Sequence, residues 1–274
     1  MALLHKLPPL ENVGAGLTAV LPRLSMGMVY HGIVLKLGGT FTKSQITGLR
    51  MRLDGKQFVD LTGSRLDTIN NFDGRTANAS YLSLPFGEPN ARTIIGEGIG
   101  SIETANHDLM EMEVDIDAGA TSPTLEAWAV LGGKEKIDRR YATYVRAYLT
   151  ATHSPGAGGE YNLNVPMGSR VGAELKRIHF FHSNLTKLQI VRDGLYLMQE
   201  AETGLLDFVY SELNRSAQSG HAAYDPVWTD NQSDAVPTYR DDGNPAVFEI
   251  KATVSAADTI TTITDLYAPS IAHV

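Results

Sequence analysis

Four carboxylates at alternate positions form the most suggestive chemical pattern in the sequence, and they are Glu111, Glu113, Asp115 and Asp117. Apolar residues fill the positions between them. On a β-strand this spacing puts all four on one face, with neighbouring Cβ atoms about 7 Å apart, so their charges repel one another. Three arrangements would relieve that repulsion: arginines on a neighbouring strand, a hard cation such as calcium, or plain exposure to solvent.

A second alternating segment offers the arginines for the first of these arrangements. Arg50 and Arg52 are separated by an apolar residue, so both guanidinium groups fall on one face of a strand. We therefore expect cross-strand pairing with the acidic strand. Glu113, Asp115 and Asp117 remain candidate calcium ligands, although the spacing of an EF-hand loop is absent and the pattern requires no cofactor.

No arrangement of catalytic residues emerges elsewhere. His179 and His182 are three positions apart, so on a strand they would point to opposite faces, which favours local packing over a shared metal ion. Residues 96–100 (GEGIG) lack the spacing and the lysine of a phosphate-binding loop, and we interpret them as a flexible loop. The nucleophile elbow G-x-S-x-G and the zinc motif H-E-x-x-H are both absent.

The composition excludes several classes of function. The chain has 274 residues, 43% of them hydrophobic and 20% charged, which is typical of a globular protein. Its formal net charge of −8 is unfavourable for sequence-independent binding of nucleic acid. Cysteine is absent, which excludes disulfides and thiolate chemistry. No apolar run approaches the roughly 20 residues of a membrane-spanning helix, and no signal peptide is recognisable, so we expect synthesis in the cytoplasm.

Most of the chain is predicted to form strands that are buried on one face. Apolar and polar residues alternate in 49–54, 110–117 and 248–254, as expected for antiparallel sheets packed face to face. Two segments, 61–72 and 196–213, carry apolar residues at helical spacing and are predicted to be helices. The sequence therefore predicts an all-β fold with two short helices.

An internal repeat indicates two domains. Residues 44–69 align with residues 183–208 without a gap, and six of the 26 aligned positions are identical. Both copies are predicted to form a strand, an Asp-Gly turn, a second strand and a helix, because Asp-Gly suits a tight hairpin turn. A glycine-rich, charged segment at 132–136 resembles a linker, so we expect domains over 1–137 and 138–274.

The order of these elements resembles that of a known family, the double jelly-roll major coat proteins of membrane-containing icosahedral bacteriophages, and in particular those of the corticoviruses. The similarity covers most of residues 10–215. It rests on four stretches in the same order: SQITGLRMRLDGKQF (44–58), EMEVDIDAGATSPTLEAWA (111–129), VPMGSRVGAELKRIHF (165–180) and LTKLQIVRDGLYLMQEAETGLLDFVYSELNR (185–215).

The resemblance implies two tandem eight-stranded jelly rolls, each with a short helix. It also implies a structural protein without catalytic activity, whose homotrimers have a pseudo-hexagonal outline and tile an icosahedral shell over an internal membrane, with calcium supporting the lattice. The implied partners are other copies of the chain, further virion proteins such as a penton or membrane protein, and the surface of the internal viral membrane, but not nucleic acid. The implied location is the virion, after synthesis in the host cytoplasm.

A carbohydrate-binding or glycoside-hydrolysing jelly-roll protein is the alternative, because paired carboxylates for hydrolysis are set in space and not in sequence. Sugar-binding modules usually display exposed aromatic residues, and the chain has only two tryptophans, Trp128 and Trp228. Trp128 lies in an alternating strand pattern that favours a core or interface position. Trp228 follows a proline in a polar loop, where it could be a ligand platform or, as we favour, an intersubunit contact.

Overall fold

β-Strands make up most of the regular structure. In this computed structural model the described residues are 3–21, 23–132, 144–168 and 171–269. They contain eighteen strands and three α-helices. No helix among them is long and apolar enough to cross a membrane. The mainly β architecture predicted from alternation is confirmed.

The chain divides into two compact units. The first comprises the described residues of Met1–Asn70, Arg75–Tyr148 and Tyr267–Val274, and the second comprises those of Asn71–Gly74 and Leu149–Leu266. The predicted domain boundary after residue 137 lies outside the described residues. A four-residue segment from the first half of the sequence therefore belongs to the second unit.

The first nine strands build two antiparallel sheets. The elements are β1 (Leu3–Lys6), β2 (Thr18–Leu21), β3 (Val29–Gly38), β4 (Ile46–Leu53), β5 (Lys56–Leu61), α1 (Gly63–Phe72), β6 (Tyr81–Pro85), α2 (Ile94–Gly98), β7 (Ile102–Glu103), β8 (Met110–Ile116) and β9 (Thr124–Gly132). One sheet has the order β1-β9-β3-β6, with β7 also paired to β3, and the other has the order β2-β8-β4-β5. Along β8 every second residue is buried, as the alternation predicts.

The remaining strands build two further sheets. The elements are β10 (Tyr144–His153), β11 (Gly159–Leu163), β12 (Glu174–Phe181), β13 (Leu185–Arg192), β14 (Leu195–Glu202), α3 (Thr203–Ser211), β15 (His221–Tyr224), β16 (Val236–Pro237), β17 (Phe248–Val254) and β18 (Ile260–Pro269). The sheet orders are β10-β18-β12-β15, with β16 also paired to β12, and β11-β17-β13-β14. Ile178 and Phe180 of one sheet and Ile190 and Ile250 of the other share one hydrophobic core.

The strand order shows that the internal repeat extends over the whole structure. Adding nine to every strand number of the first two sheets gives the order of the last two. The predicted Asp-Gly turns occupy the same place in each half. Asp54 and Gly55 have φ values of 50° and 77°, and Asp193 and Gly194 have 50° and 83°. Positive φ at both positions is what a two-residue type I′ hairpin requires.

The second predicted helix begins later than expected. The prediction covered 196–213, but Leu195–Glu202 form strand β14 and only Thr203–Ser211 form α3. Within Thr203–Ser211 the helix predicted from apolar spacing is confirmed. The prediction that it extends back toward the hairpin was wrong, because pairing with β13 holds Leu195–Glu202 in an extended conformation.

A bulge in β14 also breaks the gapless alignment of the repeat. The pairing of β13 with β14 shifts its register near Glu200, which adopts a φ of 43°. This extra residue makes Leu66 of α1 equivalent to Leu206 of α3, and both are buried. Leu205, the partner of Leu66 in the sequence alignment, is 55% exposed instead.

The glycine-rich segment predicted to be a flexible loop is partly helical. Ile94–Gly98 form the single-turn helix α2. The hydroxyl oxygen of Thr93 accepts a hydrogen bond from the backbone N–H of Gly96 at 3.0 Å, which caps the turn. Local capping therefore outweighs the low helix propensity of the glycines.

Candidate functional site

The acidic strand lies beside the arginines that the sequence offered for it. In the register of β4 and β8, Arg50 is opposite Glu113 and Arg52 is opposite Glu111. Both terminal nitrogens of Arg50 donate to the carboxylate of Asp115, at 2.6 and 2.8 Å. Glu113 bridges the arginines, since it accepts from Arg50 Nε at 3.2 Å and from Arg52 Nη1 at 2.5 Å. The predicted cross-strand pairing is confirmed.

These contacts leave the acidic strand well compensated. The hydrogen bond from Arg52 holds the pKa of Glu113 below its ordinary value, and the hydrogen bond from Arg50 does the same for Asp115. Thr18 donates a further hydrogen bond to Asp115 at 2.7 Å. Asp117 lies beyond the end of β8 and accepts from the backbone N–H of Gly119 at 2.7 Å.

The calcium hypothesis for this strand stays a prediction. Among the described residues, no group of three or more histidine, aspartate or glutamate side chains is placed to hold a metal ion. The four carboxylate oxygens of Glu113 and Asp115 are already engaged by arginine or threonine donors.

A buried ionic cluster, which the sequence analysis missed, lies in the second unit. We call it the Arg177 cluster, and its members are Asp73, Arg177, Arg215 and Asp225. Arg177 on β12 is 1% exposed; its Nη1 donates to Asp73 and its Nη2 lies 2.7 Å from Asp225 Oδ2. Arg215 reaches the same Asp225 oxygen through Nε at 3.1 Å, and its Nη2 lies 2.8 Å from Asp230.

The neighbouring carboxylates keep Arg177 charged despite its burial. Burial opposes the charged form of Arg177, but the carboxylates of Asp225 and Asp73 more than offset it, and the pKa of Arg177 is raised. The hydroxyl oxygen of Tyr210 accepts a hydrogen bond from the backbone N–H of Asp225 at 3.1 Å. Burial, together with the charge of Asp225, raises the pKa of the Tyr210 hydroxyl. Burial and the charge of Asp225 thus favour the neutral form of the Tyr210 hydroxyl.

A buried histidine pair lies next to the cluster. His179 Nδ1 is 2.9 Å from His221 Nε2, so one ring donates to the other. Burial, followed by the charge of Arg177, lowers the pKa of His221 to about 3, and burial also lowers that of His179 well below its usual range. The aromatic ring of Phe72 packs against both. The predicted local packing of His179 is confirmed, and His182 lies outside the pair, accepting from the backbone N–H of Leu185 at 3.3 Å.

The first unit has its own buried ion pair. Arg146 on β10 is fully buried, and its Nη1 lies 3.1 Å from Glu88 Oε1. The hydroxyl of Tyr267 donates to the same oxygen at 3.3 Å. Arg146 and Arg177 both lie on strands, where a charged residue at an alternating position predicts exposure. Sequence reasoning missed them because their carboxylate partners are distant in sequence, as Glu88 and Asp73 show.

Helix α3 carries exposed apolar side chains. Leu205 is 55% exposed and Phe208 is 61% exposed, whereas Leu206 and Tyr210 of the same helix are buried. Trp228 is 36% exposed and packs edge-on against Tyr210, with ring centroids 5.8 Å apart. We call Leu205 and Phe208 the α3 face, and the intersubunit role of Trp228 stays a prediction.

Comparison with known families decides the identity of the chain. The family model described as the viral coat protein P2 N-terminal domain matches residues 4–132, and the one described as the viral coat protein P2 C-terminal domain matches residues 145–269. The chain belongs to the viral coat protein P2 family.

Solved structures show the same double jelly-roll fold. The major capsid protein P2 of bacteriophage PM2 aligns with a TM-score of 0.83 and 19% sequence identity, covering 98% of both chains. A chain of Sulfolobus turreted icosahedral virus gives a TM-score of 0.70 at 9% identity, covering 98% of this chain and 91% of the other. A chain of the PBCV-1 virus capsid gives 0.59 at 11% identity, covering 99% and 95%. A search of curated protein sequences gives no significant match.

Membership of the P2 family confirms the predicted fold and class of function. This P2-family protein is a structural component of the virion coat and not an enzyme. The glycoside-hydrolase alternative is therefore dropped. Trp128 is half-buried in β9, with the ammonium of Lys6 5.7 Å from its ring centroid.

Proposed function

We propose that this P2-family protein is the major coat protein of an icosahedral virus and assembles as a homotrimer with a pseudo-hexagonal outline. The tandem repeat of strand order carries the proposal. One chain supplies two units of equivalent topology, so three chains supply six, and a ring with cyclic three-fold symmetry then gains an approximate six-fold outline. Such outlines fill a surface without gaps, which is what a shell requires.

The names of the solved relatives support a role in a viral shell. The PM2 protein is named as a major capsid protein, and one of the other structures is that of a turreted icosahedral virus. We extend the proposal to a shell that overlies an internal membrane, with penton or membrane proteins as further partners. The net charge of −8 suits a coat that does not bind the genome directly.

We also propose that calcium supports the contacts between trimers. Carboxylates of two neighbouring trimers could share one hard cation. The composition is favourable for such a site, with 31 acidic residues against 23 basic ones.

Light scattering of the purified full-length protein tests assembly directly. The mass is measured with calcium and then with a chelator. We expect a species of about three times the chain mass of 29.7 kDa in both conditions, and larger particles with calcium only. A monomer in both conditions at all protein concentrations would overturn the trimer. A trimer that is indifferent to calcium would overturn the role of the cation alone.

A further inference from the structure

Helix α3 is apolar on two opposite faces. Leu206 and Tyr210 face the core of the second unit, and Leu205 and Phe208 face outward with more than half of their surface exposed. Large apolar side chains that are exposed side by side often mark an interaction surface. The outward residues therefore indicate a surface that is covered in the assembled protein.

The first unit provides an internal comparison, because α1 follows β5 as α3 follows β14. With the one-residue bulge taken into account, Thr68 of α1 corresponds to Phe208, and Arg65 corresponds to Leu205. The outward side of α1 is thus polar, although both helices close the same kind of unit. The fold does not require the apolar residues of α3, so another requirement must account for them.

The negative charge around α3 restricts which class of partner can bind there. The segment 200–214, which contains the end of β14 and all of α3, has four acidic residues and no lysine or arginine. An anionic membrane surface or a nucleic acid would be repelled by it. Two copies of this acidic surface would also repel each other. The partner is therefore a protein that presents a different surface, as in a head-to-tail contact that closes into a ring.

The size of the α3 face fits the centre of such a contact. The exposed fractions of Leu205 and Phe208 are 55% and 61%. Together they amount to about 200 Å² of apolar surface. A stable interface buries roughly 800 Å² on each partner, with a few large apolar residues at its centre and a polar rim. Glu202 and Glu212, which are exposed, lie at the two ends of α3 and supply part of such a rim.

We infer that the α3 face is the centre of the contact between neighbouring copies of this coat protein, where it meets a different surface of the next copy. The inference rests on the proposed self-assembly, because a second copy of the chain is the partner that every coat protein meets. In this arrangement the α3 face holds the trimer together.

Self-association of full-length variants tests the inference. The double variant Leu205→Ser/Phe208→Ser removes the α3 face, and Leu195→Ser is the matched control, since Leu195 is an apolar side chain that is 68% exposed on β14, outside the α3 face. Far-UV circular dichroism monitors folding. We expect the double variant to raise the dissociation constant of the trimer at least tenfold while it keeps the wild-type spectrum, and the control to behave as wild type.

A second measurement does not depend on the double variant being well folded. The chain has no cysteine, so Phe208→Cys introduces one thiol whose reaction with a maleimide reports its exposure. We expect this thiol to react at least tenfold more slowly in the trimer than the thiol of Leu195→Cys. Equal rates, or a double variant that associates like wild type, would overturn the inference and leave the trimer intact. A wild-type chain that never associates would instead overturn the proposed assembly.

Discussion

At the residue scale, the fold rests on charges that are buried with their partners. A half-buried ladder joins Arg50 and Arg52 to the acidic strand, and a fully buried network surrounds Arg177. The ladder and the network differ in their exposure to water. Water screens the ladder, whereas removal of one ion from the network leaves others uncompensated in a medium of low polarity.

Replacement of Arg177 should therefore destabilise the protein far more than replacement of Arg50. We expect Arg177→Met to lower the free energy of unfolding by about 3–5 kcal/mol, because Asp73 and Asp225 lose their shared cation. Arg50→Met should cost about 1 kcal/mol. Urea denaturation of both variants measures the difference, and equal costs would contradict the account.

The histidine pair should make the protein sensitive to acid. The pKa of His221 is about 3 in the folded protein, below its ordinary value, so the folded state prefers the neutral ring. The contribution of the neutral His221 ring to folding stability is complete above about pH 6.5 and is lost as the pH falls toward 3. Arg177, His179, His182 and Asp73 are the ionisable groups that act on His221.

Replacement of His221 should reduce this acid sensitivity. His221→Phe removes one titrating ring, so the loss of unfolding free energy between pH 6 and 4 should become shallower by about 1.4 kcal/mol per pH unit. Phe181→Leu is the control, because Phe181 packs on His221 without titrating itself. Denaturant melts across this pH range give the slopes. An identical slope for His221→Phe and wild type would be incompatible with a depressed pKa.

At the element scale, the sequence predicts strands and turns well but element ends less well. The alternation along β8 and the Asp-Gly pairs predict structure from neighbouring residues alone. The structure confirms both the strand and the turns. The end of β14 has no such signal. Its bulge at Glu200 depends on pairing with β13, so the predicted start of the second helix was seven residues early.

The hairpin turns should tolerate substitution differently from the helix. Gly194 adopts a φ of 83°, so Gly194→Ala should lower the unfolding free energy by about 1–2 kcal/mol. Gly204 lies in α3 with open space around its Cβ position, and Gly204→Ala should raise stability by about 0.5–1 kcal/mol. Chemical denaturation of the two variants at one protein concentration makes the comparison. A loss of stability in both, or a gain in both, would show that backbone conformation is not the cause.

At the scale of the whole molecule, the sequence repeat correctly indicates two units but not how the chain is divided between them. The second unit includes Asn71–Gly74, which no composition or spacing marks as part of it. The contacts of that segment explain its importance. The guanidinium of Arg177 lies 5.1 Å from the ring centroid of Phe72, and Asp73 accepts a hydrogen bond from the same group.

A fragment of residues 144–274 should therefore fail to fold cooperatively. Loss of the buried Phe72 ring costs about 3–5 kcal/mol, and loss of Asp73 leaves Arg177 undercompensated at a similar cost. Together these approach the whole stability of an ordinary domain. Thermal melting followed by circular dichroism compares the fragment with the full chain. A sharp transition within a few degrees of the full chain would contradict the division of the chain described above.

Electron microscopy of the purified full-length protein tests the central claim most directly. The account predicts class averages of three-fold symmetric particles with six lobes around a common centre, two from each chain. Averages that show only single chains, or rings with another symmetry, would contradict the assignment of this P2-family protein as a trimeric coat protein.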